Sequence, residues 1–356
     1  MFKSRHIDLY RSRHIYDGII FCSNDYLGLS KHPKVIKAFK DGADKYGVGS
    51  GGSQLVTGYT NAHRAVEDAF AEFLNRDRAL LFSSGYLANI GIVAALELQS
   101  IFADKFNHAS LIDAGLFSKA KMYRYAHNNI NSLKLRLEKF NNGQKIIITD
   151  GVFSMNGDIA KLSELSVLAK QHNAILMVDD AHGIGVLGRN GQGTVAHFNL
   201  PAKNVPIVVA SLAKAIGCSG AIVAGSNALI EGLIQFARTY IYTTAIPPAI
   251  ANACLASLKI MQTETWRREK LTHLINYFIN QAHNRNLTLL PSTTPIQSLI
   301  IGDAKKTMAV SQKLLTRGFV VVAIRPPSVP KNTSRLRITL NCSHTEQQIN
   351  NLIEIL

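Results

Sequence analysis

The sequence predicts an α/β protein: a mostly parallel central sheet covered by helices, followed by a smaller C-terminal α+β domain. Three observations predict it. Short, almost wholly apolar runs alternate with helical patterns, as strands buried on both faces do. Four of those runs end directly in a polar cluster. Past the Pro247-Pro248 break the pattern changes to long helices followed by further strands.

In chain order, the first clear element is an amphipathic helix over 61–75. Ala62, Ala65, Val66, Ala69, Phe70, Phe73 and Leu74 recur there at helical spacing, with Asn61 as N-cap. Runs at 79–82, 145–149, 174–178, 206–210 and 221–224 read as strands, with a helix over 162–172 among them. Ser83-Ser84-Gly85 follows the first run, Asp150-Gly151 the second, Asp179-Asp180-Ala181-His182-Gly183 the third, and Ser211-Leu212-Ala213-Lys214 the fourth. Ligands in open α/β sheets bind outside the carboxyl ends of the strands, so these clusters are expected at one rim. Strands at 298–301, 319–324 and 336–340 belong to the second domain. The expected division is an N-terminal segment 1–23, a large domain 24–250 and a small domain 251–356.

At 356 residues the chain is long enough for about two domains, and 47% hydrophobic against 18% charged residues excludes a disordered chain. It has no apolar stretch of the ~20 residues that span a bilayer, and its first residues lack the apolar core of a signal peptide. A cytoplasmic protein with no membrane partner is expected. Cys22, Cys218, Cys254 and Cys342 are far apart, which supports neither a disulfide framework nor a metal site. The net charge of +15 would suit a polyanion, yet it is dispersed, without the runs of like charge or the recognition motif that nucleic-acid binding would call for. No nucleic-acid partner is expected.

Lys214 lies just past a buried strand among small residues, where desolvation favours the neutral amine that forms a Schiff base with an aldehyde. Most lysines are solvated surface groups, so Asp179 carries weight. A carboxylate directly after AILMV is costly unless it meets a cation or an N–H, and a protonated pyridine is one such partner. Pyridoxal phosphate enzymes pair such a lysine with such an acid. Ser83-Ser84-Gly85-Tyr86, between a strand and a helix, can aim amides at a phosphate, and Ser211 adds a hydroxyl nearby. His108 and His182 can stack on the ring or hydrogen-bond its oxygen, while His127, His172 and His197 receive no role. The glycines of 47–52 lack the ending of a P-loop and read as a mobile backbone approach to the site.

The strings SNDYLGLSKHP, GSGGSQLVTGYTNAH, LLFSSGYLAN, NHASLIDA, TDGVFSMNGDIA, MVDDAHGIGVLGRNGQG, SLAKAIGCSGA, YTTAIPPAIA and IRPPSVPKNTSRLRITL run in order over 22–340. Together they resemble the α-oxoamine synthases, pyridoxal 5′-phosphate (PLP) enzymes with the fold type I, PLP-dependent transferase-like architecture. The resemblance implies that Lys214 carries the cofactor, Asp179 pairs with its pyridinium nitrogen, His182 bonds the ring oxygen and His108 stacks on the ring. It implies cofactor contacts at Gly85, Tyr86, Ser154 and Ser211, and at Thr243 and Thr244 across the interface of a homodimer with shared active sites. Arg337 would hold the amino-acid carboxylate, Ser328 would lie near the acyl substrate, and Asn24 and His108 would line the substrate site. Arg11 and Arg13 receive no role, Asp150 stands where some relatives have Glu, and Ser211 where many have Thr. The implied reaction is the decarboxylative condensation of L-alanine with a pimeloyl thioester, pimeloyl-acyl-carrier protein or pimeloyl-CoA, in biotin biosynthesis. A transferase using glycine and acetyl-CoA is the alternative, and GSGGSQLVTGYTNAH and YTTAIPPAIA resemble the first more.

Overall fold

The computed structural model describes residues 13–140 and 143–356. Its strands are β1 (Ile19–Ile20), β2 (Arg78–Phe82), β3 (Ser100–Asp104), β4 (Lys121–Tyr125), β5 (Lys145–Asp150), β6 (Ala174–Asp179), β7 (Ile207–Ser211), β8 (Ala221–Gly225), β9 (Ile296–Gly302), β10 (Phe319–Val320), β11 (Val322–Ile324) and β12 (Ser334–Thr339). The large sheet runs β2-β8-β7-β6-β5-β3-β4, with β8 antiparallel to both neighbours and the other contacts parallel. The 212–220 connection is too short for the crossover that parallel strands need, so β8 runs back against β7.

Both faces of this sheet are covered, which is why its strands read as unbroken apolar runs. Ile146 and Ile148 of β5 pack with Ala88, Ile92 and Val93 of helix Gly85–Ala95, while Ile147 between them packs with Leu165 and Leu168 of helix Leu162–Gln171. Alternate side chains of a strand point to opposite faces, and each such isoleucine contributes about 1.5–3 kcal/mol on burial. Because β2, β5, β6 and β7 point the same way, their C-terminal ends share one rim. No helix among the described residues is long and apolar enough to cross a membrane.

Two expectations are corrected. The helix expected over 61–75 is Asn61–Phe73, and its N-cap is Thr60, whose hydroxyl and amide both meet His63 Nδ1; Asn61 is the first helical residue. The expected strand over 319–324 is two strands. β10 pairs with β1 of the N-terminal segment, and β11 joins the antiparallel sheet β11-β12-β9.

The 251–356 region is bound to the rest of the chain on both sides. Residue 250 falls inside helix Pro248–Thr263, which packs on helices Pro33–Tyr46 and Asn61–Phe73. Residues 19–27 bind the C-terminal region: the Phe21 carbonyl accepts from the Thr339 amide at 2.7 Å and the Tyr26 carbonyl from the Cys342 amide at 2.9 Å.

Candidate active site

The four polar clusters meet at the common rim and line a cavity of about 130 Å³. Gly85 and Tyr86 enter from the β2 side, Asp150 and Ser154 from β5, Asp179 and His182 from β6, and Ser211 and Lys214 from β7. His108 and Ser110 complete the wall from helix Ala109–Phe117 and its cap.

Asp179 ends β6 with both oxygens engaged. Oδ1 accepts from the Ala181 amide at 3.0 Å, and Oδ2 accepts from Asn89 Nδ2 at 2.7 Å. Asn89, fully buried in helix Gly85–Ala95, also donates to Ser110 Oγ at 2.8 Å. Asp150 faces Asp179 across the β5–β6 register, and burial and then the Asp179 charge push its carboxyl well above the usual carboxylate range. Lys214 lies in the loop after β7. Burial lowers its pKa and Arg337 adds to that, against the pull of Asp179 and Asp150. The result is an amine nearer neutrality than a surface lysine, beside a carboxylate.

His182 is buried, and its Nδ1 lies 2.6 Å from the Tyr26 hydroxyl. Burial first, then Lys214, Arg337 and His108, hold it well below the ordinary histidine range, so the ring is neutral. His108 is open to solvent at the rim, and its Nδ1 accepts from the Ser110 amide at 3.2 Å. Its own amide donates to Asp150 Oδ2 at 2.9 Å. Partial desolvation still lowers its pKa, while Asp179 pulls the other way.

At the β2 rim Ser84 caps helix Gly85–Ala95, its Oγ accepting from the Leu87 amide at 3.2 Å and its carbonyl from the Ala88 amide at 3.0 Å. The first-turn amides of Gly85 and Tyr86 are thereby left at the cavity wall, a ready place for an anion. A Cβ on Gly85 would come only within 4.0 Å of Ala221, so this end of the cavity is roomy. The Tyr86 hydroxyl donates to Asp113 at 2.7 Å.

Arg337 on β12 is buried, its Nε donating to the Ser154 carbonyl at 2.6 Å and its Nη2 to Asn24 Oδ1 at 3.3 Å. The Tyr26 hydroxyl, whose shorter contact is to His182 Nδ1, also lies 3.3 Å from the same Asn24 oxygen, so Asn24, Tyr26, His182 and Arg337 form one polar chain behind the cavity.

Other expected site residues lie apart from this cavity in the single chain. Ser328 is exposed on the loop between β11 and β12 and does not line the cavity. Thr243 and Thr244 lie elsewhere on the surface, with Thr244 bridged to Ser53. The 47–52 glycines do not line the cavity either. They pack on that same stretch: Gly52 accepts from the Ala245 amide at 3.0 Å and Ser50 donates to the Ile246 carbonyl at 2.7 Å. Arg11 lies outside the described residues, and Arg13 is exposed.

Sequence reasoning passed over Asn89, Ser110 and Tyr26. The available signal was an asparagine inside GYLANIGIVAA, a helix otherwise apolar on every side.

The family model for class I and II aminotransferases matches residues 16–356. An 8-amino-7-oxononanoate synthase of Saccharophagus degradans is 53% identical over 340 residues, covering 95% of this chain and 86% of the relative. The structure of an 8-amino-7-oxononanoate synthase from Francisella tularensis is similar at a TM-score of 0.84 and 37% identity, covering 95% of this chain and 96% of that one. A serine palmitoyltransferase from S. paucimobilis with bound PLP and myriocin is similar at a TM-score of 0.92 and 30% identity, covering 96% of this chain and 86% of that one. The fold is that of the fold type I, PLP-dependent transferases.

Proposed function

The chain belongs to the class I and II aminotransferase family and, within it, to the 8-amino-7-oxononanoate synthases, and we propose that it condenses L-alanine with a pimeloyl thioester. The products are 8-amino-7-oxononanoate, CO₂ and the free thiol of CoA or of an acyl-carrier protein, in cytoplasmic biotin biosynthesis. One observation carries this reading: Lys214 and Asp179 converge in a single cavity walled by His108 and His182.

That donor set fits pyridoxal 5′-phosphate. Gly85 and Tyr86 offer amides to a phosphate, the buried, neutral His182 offers a hydrogen bond to the ring oxygen, and the open His108 ring offers a stacking face. Ser154 and Ser211 line the same wall. When bound, PLP supplies an electron sink for the pair left on the amino acid's Cα. Asp179, locked by Asn89 and the Ala181 amide, would hold a proton at the pyridine nitrogen. Lys214 would hold the cofactor's aldehyde end, and its amine, already shifted toward neutrality, would take the proton from the Cα of L-alanine. Arg337 would bind the substrate carboxylate with a planar guanidinium anchored by Ser154 and Asn24, and His108 would line the substrate side of the cavity.

A homodimer completes the site in this reading. Val48, Val56 and Tyr242 are 92%, 78% and 71% exposed, apolar surface of the kind that a second copy covers. Thr243 and Thr244 sit in the same patch and would serve the partner's phosphate. Ser328, on its open loop, would meet the incoming acyl chain, and the 24–250 and 251–356 regions act as large and small domains.

The test combines substrate turnover with the visible absorbance of added PLP. We expect turnover with L-alanine and a pimeloyl thioester, and loss of the protein-bound PLP band in Lys214→Ala with activity down by about 10³-fold or more. Faster turnover with glycine and acetyl-CoA, or an unchanged band in Lys214→Ala, would overturn the reading.

A further inference from the structure

His127, ordinary in its sequence context, is held at both ring nitrogens. Nδ1 lies 2.9 Å from Asp104 Oδ1 and Nε2 lies 3.0 Å from Asp158 Oδ2. Two carboxylate partners require both nitrogens to donate, so the ring is an imidazolium. It stacks on Phe106 at 4.3 Å and meets the edge of Phe153 at 4.5 Å, which shields the pair from water. Asp104 is fixed in turn by the amides of Phe106 and Asn128, each at 2.7 Å. Asn128 Nδ2 follows the histidine across to Asp158 Oδ2, at 3.0 Å, and to the Ile159 carbonyl, at 2.9 Å.

Asp158 belongs to a hairpin over 152–159, closed by the Val152–Ile159 bridge and by the Phe153 amide donating to the Asp158 carbonyl at 2.9 Å. The other side of this hairpin carries the small sheet. The Ser154 carbonyl accepts from Arg337 Nε at 2.6 Å, the Met155 carbonyl from Ser298 Oγ at 2.7 Å, and Asn156 Oδ1 from Arg335 Nη1 at 2.6 Å. The bond to Ser154 is the shorter of the two that aim Arg337, and Ser154 also lines the cavity.

We infer that His127 is a positioning residue: clamped between Asp104 and Asp158, it fixes the 152–159 hairpin so that the Ser154 carbonyl presents Arg337 to the carboxylate of the amino-acid substrate. This rests on the reading of Arg337 given above. The charged groups facing the ring are Asp104 from β3 and Asp158 from the hairpin; its other contacts are the two phenylalanine rings. Burial opposes the charge on His127, but the bonds to the two carboxylates outweigh it and raise its pKa to about 9. The folded value lies above the unfolded one, so the clamp's stabilisation is complete below the ordinary value of 6.5 and is lost as pH rises through about 9.

The test is made on the holoenzyme with His127→Asn, Asp158→Asn and Arg337→Lys. We expect His127→Asn to raise KM for L-alanine roughly tenfold, with kcat and KM for the thioester within about twofold. The extra loss of Tm that the wild type shows between pH 6.5 and 9 should be absent from this variant. Asp158→Asn leaves the Asp104 bond in place, folds, and should shift the alanine KM in the same direction by less. A raised alanine KM in Arg337→Lys with an unmoved one in both clamp variants would overturn this inference alone, as would an equal fall in kcat for every substrate. An unmoved alanine KM in Arg337→Lys would overturn the reading of Arg337 and this inference with it.

Discussion

Asp179 keeps one oxygen on the Ala181 amide and the other on Asn89, leaving it a fixed charge beside an amine that burial has made easier to deprotonate. An Asp179→Asn protein keeps the size of the side chain and loses the charge that would hold a proton on the cofactor. We expect kcat to fall by about 10²-fold or more, the scale of losing one fixed electrostatic group at a reacting centre, with a Tm close to wild type. Steady-state turnover beside a melting curve checks it; a kcat within a few-fold of wild type would be incompatible with the assigned role. Lys214, Asp179, His182 and Ser211 were legible because each follows directly on an apolar run. Asn89 and Tyr26 were not, because their meaning lies in partners 90 and 156 positions away. No local pattern encodes such a pair.

Among the elements, most strands buried on both faces announced themselves, while buried β3 and edge strand β4 passed unread. β4, KMYRY, lies at the sheet edge with two charged residues and no alternation, and β3, SIFAD, has only three apolar residues between a serine and an aspartate. The split of the 319–324 run also escaped, since only the partner strands show that Phe319–Val320 belongs with Ile19–Ile20. The 152–159 hairpin has an equally exact requirement at its tip. Gly157 has φ +81°, and a Cβ there would stand 2.2 Å from the Ile296 carbonyl oxygen and 2.5 Å from Ser292 Oγ. Gly157→Ala must therefore displace the hairpin from β9, at a cost of about 2–4 kcal/mol from the left-handed backbone and the overpacking together. Denaturant unfolding would measure it; a cost under about 0.5 kcal/mol would mean that the hairpin and the small sheet are not pressed together.

At the scale of the molecule, the seven-stranded sheet presents Lys214 and Asp179 and the three-stranded sheet presents Arg337, while Val48, Val56 and Tyr242 stay open to solvent. Val56, 78% exposed, is where a charge should do most harm to pairing and least to the fold. Val56→Asp should shift the mass seen by light scattering from two chains to one and weaken retention of PLP, with the monomer still folded. A wild-type protein that is monomeric at working concentration would remove the shared site from the account.

The pairing of β1 with β10, and of Asn24 with Arg337, sets an order of events in the cell. A ribosome delivers Asn24 313 residues ahead of Arg337, and Ile19 is likewise made long before Phe319. A nascent chain halted before β12 therefore holds Lys214 and Asp179 without the guanidinium that would grip the amino acid. Vectorial synthesis thus delays a working catalyst until β10 and β12 can return to residues made long before them.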